Sequence, residues 1–287
     1  MILKRLFLSS IPRKKGGEMS LKINFSGATD PGKVRKNNED SFLVDERLNL
    51  AIVADGMGGH NSGEIASQIA VNVTREKFLD MANTEHKPAN YNGKFQLHTN
   101  QLAFASQMAN TIIYETGLAK SENKGMGTTL TAVLFQNDKL SIIHVGDSRV
   151  YLFRENTLYQ ISQDHSLVMD QVRRGIITKE QAEKSPLQNI LTRAMGTQKT
   201  IEVDMSEIEL KENDRIFLCT DGLFKCVKED SAADILRGNK DVRASCEKLI
   251  ETANINGGPD NITVVVGEVK KKTFKEKMKD MVGKINI

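Results

Sequence analysis

Leu130-Thr-Ala-Val-Leu-Phe135, Leu140-Ser-Ile-Ile-His-Val145, Val150-Tyr-Leu-Phe153 and Leu158-Tyr-Gln-Ile161 are β-rich runs. Only Gln136-Asn137-Asp138, Gly146-Asp147-Ser148 and Glu155-Asn156 mark the turns between them. Turns this short join antiparallel strands, so Thr128 to Ser162 reads as a meander and not as βαβ units. Upstream, Leu50-Ala-Ile-Val-Ala54 is a continuous apolar run ending at Asp55-Gly56, the pattern of a buried strand. Helical spacing follows over 62–79, with Ile65, Ile69 and Val73 on one face and Ala66 and Ala70 beside them. A second helix is expected over about 100–117, striped by Ala105, Met108, Ala109 and Ile112, after a polar loop from Thr84 to Asn100. Residues 165–185 read as helical, with a Thr178-x-x-Gln181 capping box. Strands return at 215–220 and 262–267, separated by helices near 230–237 and 241–254. The expected class is α+β: a four-layer αββα sandwich, two antiparallel sheets packed together with helix pairs outside.

The chain has 287 residues, 39% of them apolar and 27% charged, which suits one large globular domain with a substantial core. A net charge of +3, with the positive residues concentrated at the two ends, gives no argument for a nucleic-acid partner. Cys219, Cys226 and Cys246 are odd in number and lack Cys-x-x-Cys spacing. That disfavours a disulfide framework or a structural zinc site and fits a reducing compartment, so a cytoplasmic location is expected. No apolar run approaches the roughly 20 residues that span a bilayer. Met1-Ile-Leu-Lys-Arg-Leu-Phe-Leu is too short and too early interrupted for a signal peptide, and Met19 is an alternative start. Residues 1–19 are expected to be a flexible extension, 20–269 the globular domain, and 270–287 a basic amphipathic tail. In the tail, Phe274, Met278, Met281, Val282 and Ile285 are spaced for one helical face among lysines. A solvated terminal helix and a membrane-surface or partner-binding helix both fit that pattern.

The chemistry lies in acids at loop positions. Asp55 opens Asp-Gly-Met-Gly-Gly-His60, Asp147 sits in Gly-Asp-Ser-Arg149, Asp221 in Cys-Thr-Asp-Gly222, Asp260 in Gly-Pro-Asp-Asn261, and Glu39-Asp40 closes a run that begins at Arg35. Acids beside glycine at strand ends let carboxylate and backbone oxygens converge, the donor set preferred by magnesium and manganese. Taken singly, each has an ordinary reading: 55–60 as a glycine-rich turn, 146–149 as a hairpin turn, 260–261 as a sheet entry, His60 as a surface or capping histidine. The 55–60 segment lacks the Gly-Lys-Ser/Thr ending of a P-loop. Together, four acids at four strand ends point to a metal-dependent hydrolase, with His60 beside them as a proton donor.

Eight segments then resemble, in order, the metal-dependent protein serine/threonine phosphatases of the type-2C (PPM) family, in their compact bacterial branch. They are Thr29 to Ser41, Val53 to His60, Gly127-Thr-Thr-Leu130, His144 to Arg149, Gln163-Asp-His-Ser166, Leu191 to Gly196, Cys219-Thr-Asp-Gly222 and Gly258 to Thr263. The resemblance implies hydrolysis of phosphoserine and phosphothreonine in proteins, opposing serine/threonine kinases, with two Mn2+ or Mg2+ ions and a third at a further site. By the same resemblance Asp55 bridges the two ions and the Gly56 carbonyl serves one. Asp221 and Asp260 hold the other, and Glu39 and Asp40 contribute directly or through waters. Asp147 with Asp221 matches the third-ion site, Arg35 the phosphate-gripping arginine, and His60 the general acid. Residues 165–196 match a small helical flap in which Ser185 replaces the usual histidine. No Cys-x5-Arg loop is present, so a thiol phosphatase is not expected. Two rivals share the fold: a catalytically dead binding module, weakened because the acids are retained, and an enzyme for a dedicated regulator, which would need a sensor domain. A monomer is expected.

Overall fold

The computed structural model describes residues 21–59 and 62–277. His60, residues 1–19 and most of the tail's apolar positions (Met278, Met281, Val282, Ile285) lie outside the described residues. Among the described residues, eleven strands form two antiparallel sheets. One holds β2 (Asp40–Asp45), β3 (Leu50–Met57), β5 (Leu130–Gln136), β6 (Lys139–Val145) and β9 (Asp204–Glu209) in the order β2-β3-β5-β6-β9, with the short β4 (Gly127–Thr128) also paired to β3. The other runs β1-β11-β10-β7-β8, from β1 (Leu21–Asp30), β7 (Arg149–Arg154), β8 (Thr157–Gln160), β10 (Arg215–Cys219) and β11 (Ile262–Lys271). Helices α1 (Ser62–Ala82) and α2 (Leu97–Ala119) cover the first sheet; α6 (Glu229–Gly238) and α7 (Val242–Ile255) cover the second. Between them in sequence come α3 (Leu167–Arg173), α4 (Lys179–Glu183) and the single turn α5 (Asp221–Phe224).

Strand alternation sorts the core into three layers. Ala51 and Val53 face the other sheet with Val133, Ile142, Val150, Ile216 and Val265. Their neighbours Leu50, Ile52 and Ala54 pack instead on α1 and α2 with Leu102, Ala105, Ile113 and Leu134. On the far side Tyr151, Phe217 and Val264 meet Leu236, Leu249 and Ala253 of α6 and α7. Both faces of the central strands are therefore buried, which is why they read as continuous apolar runs; each large side chain so buried contributes roughly 1.5–3 kcal/mol. The four-layer order matches the sequence expectation.

Three local expectations change. The stretch from Thr128 to Ser162 is not one meander. The β5–β6 and β7–β8 hairpins belong to different sheets, and the Gly146-Asp147-Ser148 turn carries the chain from one to the other. Gly146 makes that turn at φ +107°, where a Cβ would lie 2.5 Å from the Thr129 side chain. The hairpins themselves obey turn chemistry: Asn137 and Asp138 take φ of 52° and 61°, Glu155 and Asn156 of 51° and 63°. The buried face of α1 begins with the small residues Gly63, Ala66, Ser67 and Ala70, which let the helix approach β3 closely, and continues through Val71, Thr74 and Phe78, whereas Ile65 is exposed and Ile69 and Val73 are only partly buried. Residues 165–185 hold two short helices; the capping box at the second is formed, with Gln181 N–H donating to Thr178 Oγ1 at 3.3 Å and Thr178 N–H to Gln181 Oε1 at 2.8 Å. The start of the tail is tied back to β1 by Lys22 Nζ–Glu276 Oε1 at 2.6 Å. Among the described residues no helix is long and apolar enough to cross a membrane.

Candidate active site

The acids gather at one end of the sandwich because sheet register puts them there. Pairing of β2 with β3 sets Asp40 opposite Asp55, two residues before β3 ends at Met57. Gly56 N–H donates to the Glu39 carbonyl at 3.1 Å. No side chain fits at Gly56, since a Cβ would stand 2.1 Å from Gly63 O and 2.5 Å from Glu39 O. From the second sheet, β10 delivers Thr220, whose hydroxyl donates to Asp40 Oδ2 at 2.8 Å and accepts Thr263 N–H at 3.0 Å. The next residue, Asp221, opens α5. Asp260 ends the loop before β11, and its neighbour Asn261 accepts Glu39 N–H at 2.8 Å while donating to the carbonyls of Asn37 and Pro31. Asn261 thus fixes the segment carrying Glu39 and Asp40 against the loop carrying Asp260.

Asp147 enters from the turn that crosses between sheets. Thr129 Oγ1 accepts Asp55 N–H at 2.9 Å and shares a 2.7 Å hydrogen bond with Ser148 Oγ, linking the two acids' backbones. The turn is gripped by His165: Gly146 N–H donates to its Nδ1 at 3.0 Å and its own N–H donates to Gly146 O at 2.8 Å. An Nδ1 that accepts puts the proton on Nε2, which faces Asp204 Oδ2 at 3.1 Å. Beside it, burial holds the His144 pKa down to about 4.

Crowding shapes the electrostatics. Burial first, then the neighbouring Asp221, Asp40, Asp147 and Asp260, push Asp55 well above the usual carboxylate range. Burial lifts Asp40 to about 7 against its threonine hydrogen bonds. Burial and Asp221 lift Asp147 to about 8, and burial also raises Glu39. Asp40 Oδ1 and Asp221 Oδ1 are buried without a hydrogen-bond partner. Buried acceptors left unpartnered among like charges are costly, and a hard divalent cation relieves both penalties. The donor set therefore fits such an ion. Among the described residues no three acidic, histidine or cysteine side chains already form a closed ligand set. Two basic side chains pair with Asp221 and Asp260. Arg35 Nε and Nη2 reach Asp260 Oδ1 and Oδ2 at 2.9 and 3.1 Å, and Lys225 Nζ reaches Asp221 Oδ2 at 2.5 Å and Asp260 Oδ2 at 3.7 Å.

All described residues expected at the site, Arg35, Glu39, Asp40, Asp55, Gly56, Asp147, Asp221 and Asp260, belong to this end of the sandwich. Sequence reasoning missed Lys225, although its place four residues after Asp221 on a helical turn was a readable signal. It also missed the fastening roles of Thr220 and Asn261. Beside the acids, a cleft with about 500 Å³ of open space runs toward α3 and α4, lined in part by Asp147, Arg149, Asp164, Lys179, Phe224 and Lys225. Cys219 is fully buried and burial raises its thiol pKa, so it is no nucleophile.

Two antiparallel sheets between helix pairs thus carry, at one end, a cleft of crowded carboxylates whose oxygen donors suit a divalent cation. The Protein phosphatase 2C family profile matches residues 33–263. The serine/threonine phosphatase stp of Listeria welshimeri is 36% identical over 246 residues, 84% of this chain and 93% of that protein. The serine/threonine protein phosphatase PstP of Mycobacterium tuberculosis is 38% identical over 88% of this chain, which spans 46% of that longer protein. Among solved structures, that of M. tuberculosis PstP/Ppp superposes with a TM-score of 0.76 at 35% identity, covering 86% of this chain and 99% of the other. The PstP catalytic domain in complex with two manganese ions gives 0.74 at 35% identity, covering 88% and 100%. The chain belongs to the protein phosphatase 2C family.

Proposed function

We propose that this chain is a protein serine/threonine phosphatase that hydrolyses phosphoserine and phosphothreonine with divalent ions held by Asp55, the Gly56 carbonyl, Asp221, Asp260, Glu39 and Asp40. The observation that carries the reading is the set of buried acids from both sheets, with Asp40 Oδ1 and Asp221 Oδ1 unpartnered. Manganese is the ion of choice, since the PstP catalytic domain, 35% identical, is solved with two; magnesium suits the same oxygen donors. Asp147 with Asp221 is the place for a third ion. Ions bound there acidify water and neutralise phosphoryl charge.

The chain's own residues do the rest. Arg35 presents its guanidinium fork to the phosphate, which requires it to leave Asp260. Asp40, clamped by Thr220, keeps the carboxylate side of the cleft rigid. His60 is assigned, on its sequence position alone, the proton for the departing serine or threonine oxygen. The 20–269 segment is the catalytic unit, with residues 165–196 as a flap beside the cleft. Its substrates are phosphoproteins made by a serine/threonine kinase of the same cytoplasm, acted on by a monomer. The basic tail from 270 is a candidate membrane-surface contact.

Hydrolysis of a phosphothreonine peptide is expected only with added manganese or magnesium and is lost in excess chelator. Full turnover after exhaustive chelation would overturn the proposal. Arg35→Ala should chiefly raise KM. His60→Ala should cost more on the peptide than on para-nitrophenyl phosphate, whose leaving group needs little protonation. General acids supply about 10²–10⁴-fold. Equal losses on both substrates at saturating manganese would remove His60 from that role.

A further inference from the structure

We propose that Lys225 is a tethered counter-ion of the acidic cleft, holding Asp221 and Asp260 before a divalent ion arrives and competing with that ion for their oxygens. The inference rests on the metal-dependent reading above. Its basis is geometry. Lys225 N–H donates to the Asp221 carbonyl at 3.0 Å, closing a helical turn that places the two side chains on one face. The ammonium then lies 2.5 Å from Asp221 Oδ2 and 3.7 Å from Asp260 Oδ2, bridging two acids brought from different strand ends. Both oxygens of Asp260 are meanwhile engaged by Arg35. Of the four carboxylate oxygens in this pair, only Asp221 Oδ1 is left without a partner.

An ammonium and a divalent ion cannot share those oxygens. A protonated lysine has no lone pair to donate to the ion, and like charges a few ångströms apart repel strongly in a half-buried cleft. Lysine is also the right residue for an exchangeable placeholder. Its charge is a point on a flexible stem, and its side chain keeps 23% exposure, so it swings aside without unfolding α5. The cleft next to Asp147 and Phe224, which Lys225 already lines, receives it. Two consequences follow: the metal-free site stays assembled, and metal affinity is weaker than the acids alone would give.

Calorimetric titration with manganese of wild type, Lys225→Gln and Lys225→Arg tests the proposal, with thermal unfolding in chelator and in saturating manganese. Lys225→Gln should bind manganese about tenfold more tightly, the size of one charge-assisted hydrogen bond removed from the metal-free state. It should melt lower than wild type in chelator, and that deficit should vanish or reverse in manganese. Lys225→Arg, which keeps the charge, should stay near wild type in affinity. A residue that merely packs would lower the melting temperature equally in both conditions and leave affinity alone. Unchanged or weaker binding by Lys225→Gln overturns the counter-ion role while leaving the metal reading intact. Failure of the wild type itself to bind manganese overturns both.

Discussion

Asp55→Ala is expected to lower turnover of a phosphothreonine peptide by at least about a thousandfold while making the metal-free protein more stable. The two effects have opposite signs for one physical reason. In the metal-free state Asp55 is a half-buried carboxyl whose charged form is opposed by desolvation and by Asp221, Asp40, Asp147 and Asp260. Alanine removes that repulsion, and its methyl group is compatible with β3, where Ala51 and Ala54 are already buried. The same truncation deletes the carboxylate that the proposed site needs at its centre. Steady-state rates at saturating manganese and thermal unfolding in chelator measure the two effects. A variant that keeps its turnover, or that melts lower in chelator, would show that Asp55 serves the strand and not the chemistry. Asp221→Ala should lose activity likewise, but it also breaks the 2.5 Å contact to Lys225, so its gain in metal-free stability should be smaller.

The layer order was legible because each layer leaves a mark on the sequence. Strands buried on both faces read as unbroken apolar runs, and the turns at Asn137-Asp138 and Glu155-Asn156 carry residues that tolerate positive φ. What periodicity does not carry is which sheet a hairpin joins. The Gly146-Asp147-Ser148 turn looks like any hairpin turn, and only the packing of Ile142 and Val150 into one inter-sheet core shows that it crosses. The edge strands β1, β2 and β9 were missed because they mix polar with apolar residues and are largely half-buried. For the site, the acids were readable as types beside glycine, but their convergence is a product of register, such as Asp40 opposite Asp55. The fasteners Asn261 and Thr220 act through backbone groups of Pro31, Asn37, Glu39 and Thr263, which no local pattern announces. His60, read from sequence as the proton donor, lies outside the described residues, so its assignment rests on chain position.

Manganese should reverse the way stability depends on pH. Asp40 and Asp147 are raised in the folded, metal-free protein from 3.8 to about 7 and about 8. The native state therefore holds protons that the unfolded chain has released, and stability falls as pH rises from about 4 toward 8. His144 acts in the opposite sense: its pKa falls from 6.5 to about 4 on folding, so it adds stability as pH climbs through that interval. Above about 6.5 the histidine no longer contributes, and the acids alone set the slope. Between pH 6.5 and 8 the metal-free protein should consequently lose stability. A bound divalent ion takes the place of those protons, so its apparent affinity should rise over the same window and its binding should release protons. At a thousandfold excess over its Kd, manganese is worth about 4 kcal/mol, or roughly 8–16 °C of melting temperature for a chain of this size. Unfolding scans at pH 6.5, 7.2 and 8.0, with manganese or chelator, measure the slopes; calorimetry in two buffers of different ionisation heat counts the protons. A metal-free stability that climbs across this window, or binding near pH 6.5 with no proton release, would mean that Asp40 and Asp147 are already ionised and that repulsion among the acids does not dominate.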